Sequence, residues 1–246
     1  LWPTYTTMAV PYKTSAEGKK AQVATMFNNI AKWYDFLNHF LTLGIDIVWR
    51  NKAIGSLTIS QSTKILDIAT GTADLALAAA KKKPERIIGI DISTEMIAIG
   101  KRKVEEQNQQ KIITLQEGDS ENLIFPESFF DIATSAFGVR NFENLKAGLK
   151  EIHRVLKPGG QLMVLEFSKP EKFPVKQLFN IYFSYILPII GKLFSKDDSA
   201  YTYLPKSVKE FPHGQSFCKE LENIGFKNTK AQSLSFGIAS IYTAKK

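Results

Sequence analysis

The stretch KILDIATGTADLALAAA, Lys64 to Ala80, constrains the fold of this chain more than any other. Ile65, Leu66 and Ile68 form a short apolar run around Asp67, the small residues Ala69 to Ala73 interrupt it, and an alanine-rich run of helix formers follows. Strand, small-residue loop and helix in that order open a βα unit, and the loop falls at the carboxyl end of its strand, where open α/β sheets hold their ligands. Four more β-type runs follow with helical stretches between them: RIIGIDI from Arg86, KIITLQEGD from Lys111, FFDIATSAFG from Phe129 and GGQLMVLEFS from Gly159. Parallel neighbours need such crossovers, so the five runs predict a parallel sheet with helices on both faces. The last two runs, FKNTKAQSL and GIASIYTAKK, lie almost adjacent across Ser235, Phe236 and Gly237, a gap too short for a crossover, and are expected to pair antiparallel. The expected architecture is α/β and Rossmann-like: seven strands, mostly parallel, with an antiparallel last strand.

A length of 246 residues suits one domain with embellishments. Residues 1–60 read as an N-terminal tail and helical cap, with the helical part at about 17–59, and 61–246 as the core, with an insertion at about 169–214. Residues 1–7 are set aside, because Leu1 stands where an initiator Met is expected and Met8 follows. Cys218 is the single cysteine, so no intramolecular disulfide forms, and three scattered histidines give no metal-ligand spacing. A reducing, cytoplasmic setting without a metal is expected, since no charged segment leads into an apolar signal-like run. The greasy stretch LFNIYFSYILPIIGKLF, Leu178 to Phe194, is broken by Asn180, Pro188, Gly191 and Lys192 and reads as a buried or interfacial helix pair rather than a membrane span. The net charge of +8 suits either solubility or an anionic neighbour. Dispersed cations without interleaved aromatics argue against nucleic acid.

What the first loop can hold follows from its residues. Dinucleotide sites use G-x-G-x-x-G and a bare helix N-terminus facing the pyrophosphate. Here the order runs Asp67, Ile68, Ala69, Thr70, Gly71, Thr72, Ala73, Asp74, with one glycine and a carboxylate in the first helical turn that would repel a phosphate. A nicotinamide-dependent oxidoreductase is thereby disfavoured. A ligand carrying an amino group and a sulfonium gains from nearby carboxylates instead, and S-adenosylmethionine is such a ligand. Asp91 closes the second strand about 20 residues beyond Gly71, the placement from which an acid can accept ribose hydroxyls. Asp119 and Ser120 close the third, where an adenine amino group can be bonded. Each acid alone is an ordinary turn former or helix-end charge. Three of them at the ends of successive strands favour an adenosyl cofactor without phosphate.

Taken together, ILDIATGTADLA, IGIDIS, GDSENLIFPESFFD, SAFGVRNF and EIHRVLKPGGQLMVLEFSKP resemble the class I S-adenosylmethionine methyltransferases, and within them the demethylmenaquinone and ubiquinone-pathway C-methyltransferases. The resemblance extends to MFNNIAKWYDFLNHFLTLGIDIVWR and AYTYLPKSVKEFP and covers nearly the whole chain from about Gln22. RVLKPGG is common to many methyltransferases, where Lys157, Pro158 and Gly159 make a helix-to-strand turn; YDFLN…LGIDIVWR, FGVRNF and YLPKSV are more particular. The resemblance implies C-methylation of demethylmenaquinol to menaquinol with S-adenosylmethionine, or of the methoxybenzoquinol of the ubiquinone pathway, or both. It places cofactor contacts on Thr72, Asp91, Asp119 and Ser120, beside Gly71 and Asp74 from the reading above. Three positions depart from the family pattern: Ala73 replaces glycine, Asp46 replaces a histidine before IVWR, and Leu37 replaces methionine after YD.

Methylating a quinol carbon requires a phenolic or ring proton to leave, the ring to be held in line, and water to be excluded. Arg140, just past the fourth strand, is the candidate for stabilising a phenolate or orienting a water; its alternative is an ion pair with a strand-end acid such as Asp131. Asn141 is the candidate for holding that water or a quinol oxygen, and Tyr34 for touching the ring or relaying a proton. Tyr201, Tyr203 and His213 rank behind them, with packing or turn roles as the default. A polyprenyl quinol needs an apolar groove, which the cap and the insertion are placed to supply. Lys169, Lys172, Lys176, Lys192 and Lys196 accompany that apolar stretch and suggest peripheral contact with the inner face of a membrane. The oligomeric state is left open, a homodimer being one option.

Overall fold

A computed structural model describes residues 9–42, 44–186 and 199–246. The chain opens with two helices, α1 (Lys19–Leu41) and α2 (Ile45–Gly55), and then alternates: β1 (Lys64–Ile68), α3 (Asp74–Ala80), β2 (Arg86–Asp91), α4 (Thr94–Glu106), β3 (Ile113–Glu117), β4 (Phe130–Ala136), a 3₁₀ turn over Val139–Asn141, α5 (Leu145–Val155) and β5 (Leu156–Phe167). Next come α6 (Val175–Ile181), a π-helical turn over Tyr182–Ile186, α7 (Ser199–Glu210), α8 (Gln215–Ile224), β6 (Lys227–Leu234) and β7 (Ala239–Lys245).

The seven strands form one sheet in the order β3-β2-β1-β4-β5-β7-β6. β1 to β5 are parallel, while β7 runs antiparallel to both β5 and β6, so the reversed strand is the last in the chain but not at the edge. The expected sheet is therefore the observed one. β5 starts earlier than the Gly159 run suggests: Leu156 pairs with Phe130 before a register shift, after which Gln161 pairs with Ile132. Gly159 in that irregular segment takes a φ of +77°, which glycine adopts without strain.

Strand alternation builds two cores. Ile65 of β1 enters the layer formed with α2, α3 and α4, among Trp49, Leu75 and Ile97, while Leu66 and Ile68 enter the opposite layer with Leu149 and Ile152 of α5 and Phe217 and Leu221 of α8. A third cluster attaches the cap. Val23, Met26 and Ile30, spaced as one face of α1, pack with Met96 of α4 and with Phe183, Ala200 and Tyr203 from the insertion. This packing lays α1 across the carboxyl ends of β1 and β2. Residues 1–8 and 187–198, including Lys192, Lys196 and the second half of the greasy stretch, lie outside the described residues. The described half, α6 and the π turn, leaves Leu178, Ile181 and Tyr185 exposed.

Candidate active site

The loop after β1 is held from below by a buried acid. Asp67 accepts the hydroxyls of Thr70 at 2.6 Å and Thr134 at 2.7 Å, and burial pushes its carboxyl up to about 6 against those two bonds. Ala69, Gly71 and Ala73 all take positive φ, at 52°, 56° and 70°. Gly71 does so without cost, while the alanines adopt a conformation that costs an L side chain about 1 kcal/mol or more. Ala73 offsets this by burying its methyl completely among Leu75, Ile97 and Leu115, away from the loop's open side. The departure from glycine thus serves the core.

Asp91 ends β2 facing this loop. It accepts the N–H of Gly71 at 2.8 Å and of Ser93 at 2.9 Å; burial raises its pKa, and those N–H bonds oppose the rise. Gly71, Asp91, Asp119, Ser120 and Asn141 line one small cavity of about 60 Å³. Across its mouth Lys20 of α1 pairs with Asp119 at 2.7 Å and with Glu121 at 3.4 Å, so the cap closes on the acid expected to read an adenine edge. The Oδ1 atom of Asn141 is buried there without a partner, an acceptor that a bound group would satisfy.

Thr72 and Asp74 line a different cavity, on the far side of Gly71. The Thr72 hydroxyl donates to Asp35 of α1 at 2.5 Å, and Lys103 of α4 bridges Asp35, at 2.7 Å, and Asp74. Arg50 of α2 approaches Asp74 to 3.7 Å and pairs closely with Asp46. Asp74 is therefore neutralised by cations from α2 and α4 rather than left bare. Asp46 also accepts from Thr42 at 2.7 Å and sits 2.9 Å from His39 Nδ1. Burial pushes the Asp46 carboxyl up, but the Thr42 hydroxyl, Arg50 and His39 outweigh it and hold the group below its usual range.

A third cavity, of about 440 Å³, lies between the cap and the insertion. Its walls are mainly apolar and aromatic, with Met26, Trp49, Phe137, Phe167, Phe183 and Leu204 among them. Arg140 faces it. Arg140 does not pair with Asp131, which holds Lys157 at 2.6 Å and the Lys64 N–H at 2.8 Å. Its partner is Glu166, near the end of β5, at 2.7 Å. The strand-end acid is the one beside β4 at the carboxyl edge, because β5 delivers Glu166 there while Asp131 lies near the start of β4. Glu166 is fully buried, and burial raises its pKa against the pull of Arg140 and two backbone N–H groups. The Phe137 carbonyl also takes Arg140 Nη1, the guanidinium stands 5.5 Å over the Phe167 ring, and Nε is buried without a hydrogen-bond partner. Lys19, which the sequence did not single out, fixes the turn from outside by donating to the carbonyls of Arg140 and Phe142 at 3.2 and 2.9 Å.

Tyr34 lines all three cavities, and with Phe27 and Phe137 it forms the boundary between the 60 Å³ and 440 Å³ spaces. Tyr201 and Tyr203 line the large cavity, and the Tyr203 hydroxyl is buried without a partner. His213 is a turn residue whose carbonyl takes the Ser216 N–H at 3.3 Å. An acid-bearing pocket at the strand ends thus opens, past three aromatic rings, into a mainly apolar chamber lined by two guanidinium groups, those of Arg50 and Arg140.

Residues 14–246 match the ubiE/COQ5 methyltransferase family. The chain belongs to that family. A relative from Bacteroides fragilis named demethylmenaquinone methyltransferase is 47% identical over 238 residues, covering 96% of each chain. One from Geotalea daltonii, named ubiquinone/menaquinone biosynthesis C-methyltransferase UbiE, is 45% identical over 237 residues, covering 96% of this chain and all of that one. Among solved structures, an S-adenosyl-L-methionine-dependent methyltransferase of Methanococcus maripaludis, described as putative, superposes with a TM-score of 0.64 at 19% identity, covering 90% of this chain and 94% of that one. That likeness confirms the class I methyltransferase fold of the ubiE/COQ5 chain.

Proposed function

We propose that the protein transfers a methyl group from S-adenosylmethionine to a ring carbon of demethylmenaquinol, giving menaquinol, with the methoxybenzoquinol of the ubiquinone pathway as the second substrate to test. The observation that carries this reading is the junction at Phe27, Tyr34 and Phe137, where the acid-bearing pocket meets the apolar chamber. The residues fit the cofactor: the Asp91 carboxylate suits ribose hydroxyls, Asp119 and Ser120 an adenine edge, and the orphaned Asn141 Oδ1 a donor. When bound, S-adenosylmethionine supplies an electrophilic methyl group.

Everything else falls to the chain. The apolar chamber takes the fused ring and the start of a prenyl tail, and its aromatic walls keep water away. The Arg140 guanidinium donates to the quinol oxygen and favours its phenolate form, which places electron density on the adjacent ring carbon. The phenolic proton passes to water, because a guanidinium neither gives up nor accepts one at working pH; once the ring carbon has taken the methyl group and S-adenosylhomocysteine is left, that carbon loses its own hydrogen to water as a proton and the oxygen regains one, which restores the aromatic quinol. Glu166 holds Arg140 in that pose. Tyr34, at the junction, packs against the ring and orders it.

Exposed apolar side chains support delivery from a bilayer. Ile45 and Leu178 line the large cavity and are also exposed, marking its mouth, and Phe173, Ile181 and Tyr185 continue the patch along the insertion. Lys172 and Lys176 flank it with positive charge toward anionic lipid. Among the described residues no helix is long and apolar enough to cross a membrane, so the proposed contact is peripheral.

The test is methyl transfer from labelled S-adenosylmethionine to reduced demethylmenaquinone, run beside the methoxybenzoquinol and an Arg140→Ala variant. Methylation of the naphthoquinol is expected, with kcat of the variant lower by about 10²–10³. Methylation of neither quinol, or an unaltered kcat for Arg140→Ala, overturns the reading.

A further inference from the structure

We infer that Tyr203 is a second donor to the quinol oxygen at Arg140, so that the phenolate formed there is held by a guanidinium and a phenolic hydroxyl together; the assignment rests on the reaction proposed above. Tyr203 is on the buried face of α7, and its ring packs with Val23, Met26 and Ile30 of α1. That packing accounts for the ring and leaves the hydroxyl unexplained. The residue is 2% exposed and lines the large cavity, and its Oη atom is buried without a hydrogen-bond partner. Folded chains pair nearly all such atoms. Tyr242, just as deeply buried, does so here: its hydroxyl accepts the Gly214 N–H at 2.9 Å.

Arg140 carries a matching gap. Its Nε is also buried and unpartnered, and among the described residues Arg140 and Tyr203 are the two on the lining of that cavity with such an atom. Burial raises the Tyr203 pKa above the usual phenol value; Arg140 pulls it down, and Glu166 and Glu210 push it up further. The hydroxyl therefore keeps its hydrogen at working pH and acts as a donor, not as a base. Those same charges set it in the field of the Arg140–Glu166 pair, where the quinol oxygen ionises. A hydrogen bond from a neutral hydroxyl is roughly twice as strong to a charged oxygen as to a neutral one, so the contact favours the phenolate over the bound quinol.

In the sequence Tyr203 stands in AYTYLPKSVKEFP as one aromatic residue among several. Spacing along a helix tells which rings are buried and says nothing of whether a buried hydroxyl finds a partner.

The experiment compares Tyr203→Phe with the parent, since Phe keeps the packed ring and removes only the oxygen. Methyl transfer from S-adenosylmethionine to reduced demethylmenaquinone, or to the methoxybenzoquinol if the parent methylates that one instead, is followed from about pH 6 to about pH 10, beside urea unfolding and calorimetric titration with S-adenosylhomocysteine. The variant is expected to lose about 30-fold in kcat at the low end, the loss of a hydrogen bond to a charged group, and to close most of that gap at the high end, where a quinol ionises unaided. Its urea midpoint is expected to be unchanged or higher, because no bond within the chain is lost, and its affinity for S-adenosylhomocysteine to stay within about twofold. A kcat equal to the parent's, a deficit of the same size at every pH, a lower urea midpoint, or weaker S-adenosylhomocysteine binding overturns the assignment and leaves the proposed reaction standing. Methylation of neither quinol by the parent overturns both.

Discussion

Replacing Asp67 by Asn tests whether the loop proposed to hold the cofactor is built on a carboxylate that burial disfavours. Asp67 is 1% exposed, receives two threonine hydroxyls and has its pKa lifted by burial from 3.8 to about 6. The folded chain binds this proton more tightly than the unfolded chain. The group's contribution is therefore full below pH 3.8 and is lost as pH rises toward 6. A difference of about two pH units at about 1.4 kcal/mol each amounts to about 3 kcal/mol. Asn cannot ionise and avoids that loss, although one threonine must turn its hydroxyl to accept from the new amide, at a cost of about 1 kcal/mol. Asp67→Asn is thus expected to be more stable than the parent by about 2 kcal/mol at pH 7 and equal or slightly less stable at pH 4. Urea unfolding of both proteins at pH 4, 5, 6 and 7 measures this. The comparison cancels Glu166, which both chains share, whereas Asp91, whose charge helps to raise Asp67, is relieved of a like charge by the substitution, in the same direction as the expected gain. A stability difference that stays flat across that range, or that moves the other way, refutes the reasoning.

Two further outcomes follow from the packing. A methyl group at Gly138 would overlap Ala69 Cβ and come within 3.0 Å of Ser135 Oγ, so Gly138→Ala is expected to push the β1 loop aside. Thermal unfolding should show about 1–3 kcal/mol lost, together with weaker S-adenosylhomocysteine binding; unchanged values would show that the loop yields freely. On the outer face, Phe173 and Phe236 are 81% and 85% exposed. Phe173→Glu/Phe236→Glu is expected to lower co-sedimentation with anionic liposomes severalfold while sparing methyl transfer to a detergent-solubilised short-chain quinol, and unaltered co-sedimentation counts against bilayer contact.

The candidate site was legible where function follows from position along a strand. Asp91, Asp119 and Ser120 end β2 or follow β3, and a parallel sheet brings such ends to one edge whatever the helices do. Arg140 follows β4 for the same reason. Its partner was not legible: Asp131 and Glu166 are both acids of adjacent strands, and only the register of β4 on β5 decides which one reaches the guanidinium. Asp74 was readable as a charge at a helix start but not as the meeting point of Lys103 and Arg50.

The sequence by itself determined the order of strands and helices, and with it the sheet, the loop after β1 and the edge that carries the acids. These are consequences of local periodicity and of the need for crossovers between parallel strands. Only the tertiary structure decided that α1 crosses that edge, with Lys20 on Asp119, Asp35 on Thr72 and Tyr34 where the three cavities meet. Those pairs lie 99 and 37 residues apart along the chain. Contacts at such separations depend on how an apolar helix face settles on the sheet, which the pattern of a single segment does not encode.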